Sequence, residues 1–242
     1  MRYATDCVNQ DGHMSCRSLA SSICIQAMLF FPIPISATET GMVEHRDLEY
    51  AELGGQRLLL DLYLPSDATP PFPVIVYVKG GAFRQYDRRD TAQQWIVDHG
   101  YAFASIDHRL SPKHHFPAQL EDSKSAVRWL RANSDVYRLD STRFGAWGSS
   151  SGGHIVNLLG TTGSIEEYDV GIHLDHSSSV QAVCSSHGST DLLAFVEKRG
   201  VSLEDSSNAL AQFLGGPIGS LQSEVVRANP ITYIDWSSPT SS

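Results

Sequence analysis

The chain has 242 residues, of which 41% are hydrophobic and 19% charged, an ordinary composition for one globular domain with a full core. Its formal net charge is -9, and its 18 lysines and arginines form no long run. Because nucleic-acid phosphates are bound by clustered positive charge, this balance argues against a nucleic-acid partner. Short basic pairs such as Arg88-Arg89 are expected to be solvated surface.

The first 37 residues differ in composition from the rest and hold three of the four cysteines. Reading from Met14, a basic Arg17 precedes the apolar stretch Leu19 to Phe31, and Ile35-Ser36-Ala37 then resembles a signal-peptidase site. We interpret residues 1–37 as a targeting segment with Met14 as the start, which predicts export. The apolar stretch is too short for a membrane-spanning helix. The alternative is an over-extended gene start and a cytoplasmic protein.

Residues from Val43 onward predict strands. Val43 to Ala51 and Leu58 to Leu64 flank the turn Gly54-Gly55, so they predict a β-hairpin, which Pro65 ends. A polar, proline-rich loop from Ser66 to Pro73 follows.

Beyond this loop, apolar runs alternate with segments of helical spacing. A continuous apolar run such as Val74 to Val78 is typical of a parallel strand that is buried on both faces. The alternation predicts an α/β domain over residues 38–242, with a mostly parallel twisted sheet and helices on both faces. The predicted strands are Val74 to Val78, Tyr101 to Ile106, Phe144 to Trp147 and Val180 to Ser185; the predicted helices are Thr91 to His99, Pro117 to Leu139 and Gly152 to Leu159.

The most informative motif is Gly148-Ser149-Ser150-Ser151-Gly152-Gly153, which follows a predicted strand and precedes a predicted helix. Of the three serines, only Ser150 has glycines two residues away on both sides. A nucleophilic serine on a tight strand-to-helix turn needs such glycines, because the neighbouring strand and helix come close. The motif predicts that Ser150 is a catalytic nucleophile. The alternative is a turn rich in glycine and serine without chemistry.

Taken together, the motifs resemble the α/β-hydrolase fold, and more narrowly the acetyl and feruloyl esterase-like branch related to hormone-sensitive lipase. The resemblance spans about Val43 to Tyr233 and implies hydrolysis of a small acetyl or aryl ester through an acyl-enzyme on Ser150, without a cofactor. Besides the serine motif, its landmarks are Arg46-Asp47-Leu48-Glu49-Tyr50, Leu60-Asp61-Leu62-Tyr63-Leu64-Pro65, Tyr77-Val78-Lys79-Gly80-Gly81-Ala82-Phe83, Asp107-His108-Arg109-Leu110-Ser111-Pro112, Phe116-Pro117-Ala118-Gln119 and Ala228-Asn229-Pro230-Ile231-Thr232-Tyr233.

The segment Lys79 to Ala82 occupies the place of the family's His-Gly-Gly-Gly motif. By resemblance, the oxyanion hole is formed by the main-chain amides of Gly81 and Ala82 with that of Ser151. Lys79 replaces the histidine and Ala82 replaces the third glycine. If Ala82 requires a positive φ, the strain is on the order of 1 kcal/mol. The alternative for Gly80-Gly81 is an ordinary turn between a strand and a helix.

The acid and base of a catalytic triad are harder to assign. The family carries an acid in a motif like His-Gly-x-x-Asp and then a base near Gly-His-Gly, and neither motif is present. The resemblance therefore implies a chain that is incomplete at its C-terminus and lacks the last strands. His187 is the best stand-in base, because it follows the strand predicted to end at the ligand-binding rim, with Asp191 four residues beyond. The alternative is a loop that enters the next helix.

A second function therefore stays open: an inactive hydrolase-fold protein that at most binds small molecules or a protein partner. No metal-ligand spacing is present in the sequence. Missing strands would leave a sheet edge unpaired and apolar faces uncovered, which predicts aggregation or dependence on a partner segment. The sequence leaves the oligomeric state open.

Overall fold

The computed structural model describes residues 41–85, 88–89 and 94–234. The predicted targeting segment, residues 1–37, lies outside the described residues, as does the tail after Ile234. The predictions of export and of missing final strands therefore stay predictions.

The described part of the chain contains one six-stranded sheet with the order β1-β2-β4-β3-β5-β6. Pairs β1–β2 and β2–β4 are antiparallel, whereas β4, β3, β5 and β6 run parallel. The prediction of a mostly parallel sheet is confirmed. The strands are β1 Met42–Leu53, β2 Gln56–Pro65, β3 Phe72–Val78, β4 Ala102–Ile106, β5 Leu139–Ser149 and β6 Ala182–Ser186.

The predicted hairpin is present as β1 and β2. Gly54 and Gly55 form its two-residue turn with φ of 58° and 73°. Two consecutive left-handed residues match the right-handed twist of the flanking strands, and glycine adopts this conformation without a steric penalty.

Two helices, α2 and α4, pack on the main core of the sheet, while the short α1 covers part of the opposite face. The main core joins residues of the strands to those of α2, α4, α5 and α6. A smaller cluster joins Ile96 and Val97 of α1 to Tyr63, Tyr77 and Phe103 of the sheet. The helices are α1 Gln94–Asp98, α2 Ala118–Ala132, α3 Ser134–Tyr137, α4 Ser151–Thr161, α5 Leu192–Arg199, α6 Ala209–Leu214 and α7 Gln222–Arg227.

Several element boundaries differ from the predicted ones. The helix predicted from Pro117 to Leu139 divides at Asn133 into α2 and α3. Arg138, which takes a left-handed conformation, ends α3. Leu139 then starts β5, where it pairs with Phe72. This pairing also starts β3 earlier than predicted, so that Pro73 lies within the strand at an irregularity in the register.

The prediction that Arg88 is solvated surface is wrong. Its side chain is 10% exposed and lies 3.1 Å from Asp107 and 3.3 Å from Asp61. It also pairs with Asp47, which Arg89 contacts at 2.9 Å. The prediction rested on the two neighbouring basic residues alone. The carboxylates that surround Arg88 come from β1, from β2 and from the end of β4, which are distant from Arg88 in the sequence.

Strand β6 is an edge of this sheet, and residues 182–185 are exposed. Beside it, on the α1 face, lies a cleft of about 680 Å³ whose lining includes Ile75, Trp95, Trp147 and Cys184. An open strand edge next to apolar surface favours pairing with other chains. Among the described residues, no helix has the length and apolar character that crossing a bilayer requires.

A charge at this edge should reduce self-association. We expect Val183→Lys to lower concentration-dependent association, measured by sedimentation velocity or light scattering, because a lysine on an open edge disfavours strand pairing. Val136→Lys is the matched control, since Val136 is also exposed but lies on α3. Equal association of the two variants would contradict the prediction.

Candidate active site

Ser150 lies on a sharp turn between β5 and α4. Its φ of 52° and ψ of -120° are unusual for a residue other than glycine. The turn is held by a hydrogen bond of 2.7 Å from the Ser150 N–H to the Ser186 carbonyl of β6. Ser150 is therefore placed at the carboxyl end of a parallel strand, the rim where such sheets bind ligands.

The two glycines that flank Ser150 are required by close packing. A Cβ on Gly152 would lie 2.0 Å from the Val78 carbonyl oxygen, and one on Gly148 would lie 2.4 Å from the Gly152 carbonyl oxygen. Neither position has room for a side chain, so α4 meets β3 and β5 through bare backbone. This is the steric arrangement that the sequence motif predicts.

The loop after β3 crosses directly over this turn. A Cβ on Gly80 would lie 2.5 Å from the Ser149 carbonyl oxygen, so the two segments touch through their main chains. Ala82 and Phe83 follow with φ of 53° and 61°. The positive φ considered for Ala82 is present, with a cost of about 1 kcal/mol for each such residue.

Packing of Phe83 holds the strained loop in place. Its ring stacks on Phe213 of α6 with a centroid separation of 4.0 Å and meets the edge of His154. Its carbonyl accepts hydrogen bonds from the Ser111 N–H at 2.9 Å and the Ser111 hydroxyl at 3.1 Å. These contacts offset the backbone strain of the loop.

The three main-chain N–H groups predicted to form the oxyanion hole differ in their hydrogen bonding. The Gly81 N–H donates to the Ser151 Oγ at 3.0 Å. Within the described ranges, the N–H groups of Ala82 and Ser151 have no acceptor. Two of the three main-chain donors are therefore open, and the third is engaged by a side chain.

His187 and Asp191 lie on the segment between β6 and α5. His187 is exposed with a φ of 62° and follows Ser186, whose carbonyl accepts the Ser150 N–H. Asp191 caps α5, accepting from the N–H groups of Leu193 at 3.0 Å and Ala194 at 3.2 Å.

Asp191 also accepts from Asn229 at 3.3 Å. In the part of the chain that the structure describes, no hydrogen bond joins Ser150 to His187 or His187 to Asp191. The assignment of His187 and Asp191 as base and acid stays a prediction.

His154, one turn into α4, is buried on the inner side of the site. Its Nδ1 donates to the Ser189 carbonyl at 2.9 Å, and its ring meets Phe83 and Phe213 edge-on. Burial lowers the pKa of His154 to about 4, against the opposing effect of the Ser189 and Ala228 carbonyls. His154 is thus a neutral packing residue.

A buried ion pair that the sequence analysis missed supports the rim at the end of β4. Arg109 contacts Asp122 at 2.8 Å and Glu121 at 2.7 Å, both on α2. Its main-chain N–H also donates to Asp122 at 2.6 Å.

Within residues 41–85, 88–89 and 94–234, no group of His, Cys, Asp and Glu side chains could hold a metal ion.

The protein-family model BD-FAE matches residues 60–241 of the chain. Among curated proteins, the chain is 34% identical over 143 residues to Esterase LipC of Mycobacterium tuberculosis. That match covers 55% of this chain and 34% of LipC. The chain spans about a third of the length of the curated relatives it matches.

Two solved structures are similar in both fold and sequence. A bifunctional GH43-CE protein of Bacteroides eggerthii has a TM-score of 0.71 and 34% identity, covering 81% of this chain and 29% of its own. A truncated carbohydrate esterase from gut microbiota has a TM-score of 0.72 and 27% identity, covering 84% and 76%. The predicted α/β-hydrolase fold and the resemblance to esterases are confirmed.

Adding one methyl group at the turn should destabilise the protein. We expect Gly152→Ala to lower the free energy of unfolding in urea by about 1–3 kcal/mol or more, because the new Cβ would meet the Val78 carbonyl. Gly216→Ala is the matched control, since its Cβ meets only Leu221 at an ordinary 3.4 Å. The prediction is wrong if Gly152→Ala is as stable as Gly216→Ala.

Burial of His154 should make stability fall in mild acid. Between its ordinary pKa of 6.5 and its folded pKa of about 4, the unfolded chain binds this proton and the folded chain does not. Stability then falls as pH decreases through this window, by about 1.4 kcal/mol per pH unit for one fully shifted group. The pKa of His108 is also lowered to about 4 by burial.

The variant His154→Gln removes one of these two titrating groups. We expect the variant to lose stability less steeply than the wild type between pH 6.5 and 4, measured by urea unfolding at several pH values. Equal slopes would show that His154 titrates normally in the folded protein.

Proposed function

The chain belongs to the BD-FAE family, and on that premise we propose that it is a carboxylic ester hydrolase that acts through an acyl-enzyme on Ser150. One observation carries the proposal: Ser150 stands on a left-handed turn beside the open amides of Ala82 and Ser151. A nucleophile beside N–H groups without an acceptor suits acyl transfer, in which the carbonyl oxygen of the ester becomes negative as the serine attacks. The esterase relatives favour this function over an inactive binding protein.

The reaction would proceed in two steps. The Ser150 Oγ attacks the acyl carbon and loses its proton to a base, and the carbonyl oxygen becomes an oxyanion held by the Ala82 and Ser151 amides. Collapse breaks the ester bond and releases the alcohol, which takes that proton and leaves the acyl group on Ser150. Water then attacks the acyl-enzyme, releasing the acid and restoring the serine.

For the base we propose His187, with Asp191 as the acid that orients it. The support is positional, since His187 follows the residue whose carbonyl accepts the Ser150 N–H. To form this triad, the Asp191 carboxylate must accept a hydrogen bond from His187 in place of one that it accepts from the N–H groups of Leu193 and Ala194. We also propose that the substrate is a small acetyl or aryl ester. An ester carried on a carbohydrate is supported by the similarity to a carbohydrate esterase.

Export of the chain through residues 1–37 remains a proposal. Its support is the order of basic, apolar and small residues in that segment.

Removal of the nucleophile should abolish hydrolysis. We expect Ser150→Ala to lower kcat/KM for p-nitrophenyl acetate by about 10³-fold or more, measured by release of p-nitrophenolate. Ser149→Ala is the matched control, because it removes the neighbouring hydroxyl and should keep activity. His187→Ala then tests the base, with an expected loss of about 10²-fold to 10⁴-fold. Wild-type activity in Ser150→Ala would overturn the proposed function.

A further inference from the structure

We infer that the side-chain hydroxyl of Ser151 is an oxyanion donor, acting in place of the Gly81 amide; this inference rests on the proposed function. The resemblance implies main-chain donors only, at Gly81, Ala82 and Ser151. The geometry around Gly81 instead points to the Ser151 hydroxyl, which accepts a hydrogen bond from the Gly81 N–H and can donate its own hydrogen to the oxyanion.

The Gly81 N–H is already spent. It has one hydrogen, which it donates to the Ser151 Oγ at 3.0 Å. The peptide group that follows Gly81 is also fixed, because the Gly81 carbonyl accepts from the N–H groups of Arg84 at 3.0 Å and Gln85 at 3.1 Å. A Cβ on Gly81 would lie 1.5 Å from the Gln85 carbonyl oxygen, so the turn is tight. Gly81 has little freedom to turn its N–H toward a substrate.

The Ser151 hydroxyl, by contrast, has a hydrogen left to donate. Ser151 is 7% exposed, and its Oγ accepts one bond from Gly81. Among the described residues, no acceptor receives the hydrogen of this hydroxyl. A buried O–H without an acceptor costs free energy that a partner would recover. It directly follows the nucleophile in the chain, so an oxyanion formed there is a suitable partner.

The hydrogen-bond chain makes this donor stronger than an isolated serine. When the Oγ accepts from an amide, its own O–H becomes more polar. Ser151 is also the first residue of α4, an 11-residue helix whose N-terminus favours negative charge. The hydroxyl gains its full partner only when the ester oxygen carries negative charge, so it stabilises the transition state more than the bound ester.

The inference is tested by Ser151→Ala, with Ser151→Thr as the conservative variant that keeps the hydroxyl. We expect Ser151→Ala to lower kcat for p-nitrophenyl acetate by about 10²-fold to 10³-fold with little change in KM, and Ser151→Thr to restore much of the rate. If the hydroxyl merely caps Gly81, Ser151→Ala frees that amide and kcat stays the same or rises. That result would overturn the inference.

A second readout does not depend on ester hydrolysis. Phenylboronic acid adds to the Ser150 Oγ: an O–B bond forms, the serine proton leaves to solvent, and a boron-bound oxygen takes the place of the oxyanion. Boron NMR would detect the tetrahedral adduct, with Ser150→Ala as the control that cannot form it. We expect Ser151→Ala to weaken binding of phenylboronic acid by about 10²-fold.

The two readouts separate the inference from the proposed function. Formation of the adduct that weakens in Ser151→Ala, without any hydrolysis, would support the donor and contradict the esterase. Hydrolysis and adduct formation that are both unchanged in Ser151→Ala would contradict the donor alone. If the wild type neither hydrolyses the ester nor forms the adduct, both proposals fall.

Discussion

The site depends on a close approach of backbones at the end of the sheet. Gly152 brings α4 so near to β3 that the Val78 carbonyl fills the space where a side chain would begin. This contact fixes where α4 starts, and therefore forces Ser150 into a left-handed conformation between β5 and the helix. The exposure of Ser150 is thus a result of packing density rather than of loop freedom.

Close packing also determines the conformation of the loop after β3, which lies opposite Ser150. Ala82 and Phe83 hold strained backbone conformations, and the strain persists because Phe83 is clamped by Phe213 and Ser111. The strain is therefore local to the site and is offset by contacts with α6 and with the loop after β4. Helix α6 therefore supports the candidate site through this packing, although it has no proposed catalytic residue.

The sequence predicts those features whose cause is local. The hairpin follows from Gly54-Gly55, and the turn at Ser150 follows from glycines spaced two residues away, so both are predicted and both are present. The environment of Arg88 could not be predicted, because the carboxylates that bury it are far apart in the sequence. The hydrogen bond to the Ser151 side chain could not be predicted for a related reason. The hydrogen bond from the Gly81 N–H joins residues that are 70 positions apart. No sequence pattern in either segment predicts it.

The bond from the Ser150 N–H to Ser186 has a consequence for the order in which the protein is made. The ribosome delivers β1 to β5 and the serine well before β6, yet β6 supplies the carbonyl that holds the serine's backbone. A nascent chain that stops short of residue 186 therefore carries the serine without the strand that fixes it. The backbone of Ser150 is held in its observed conformation only when that later segment joins the sheet. Translation itself thus sets the earliest moment at which the candidate site can take its final form.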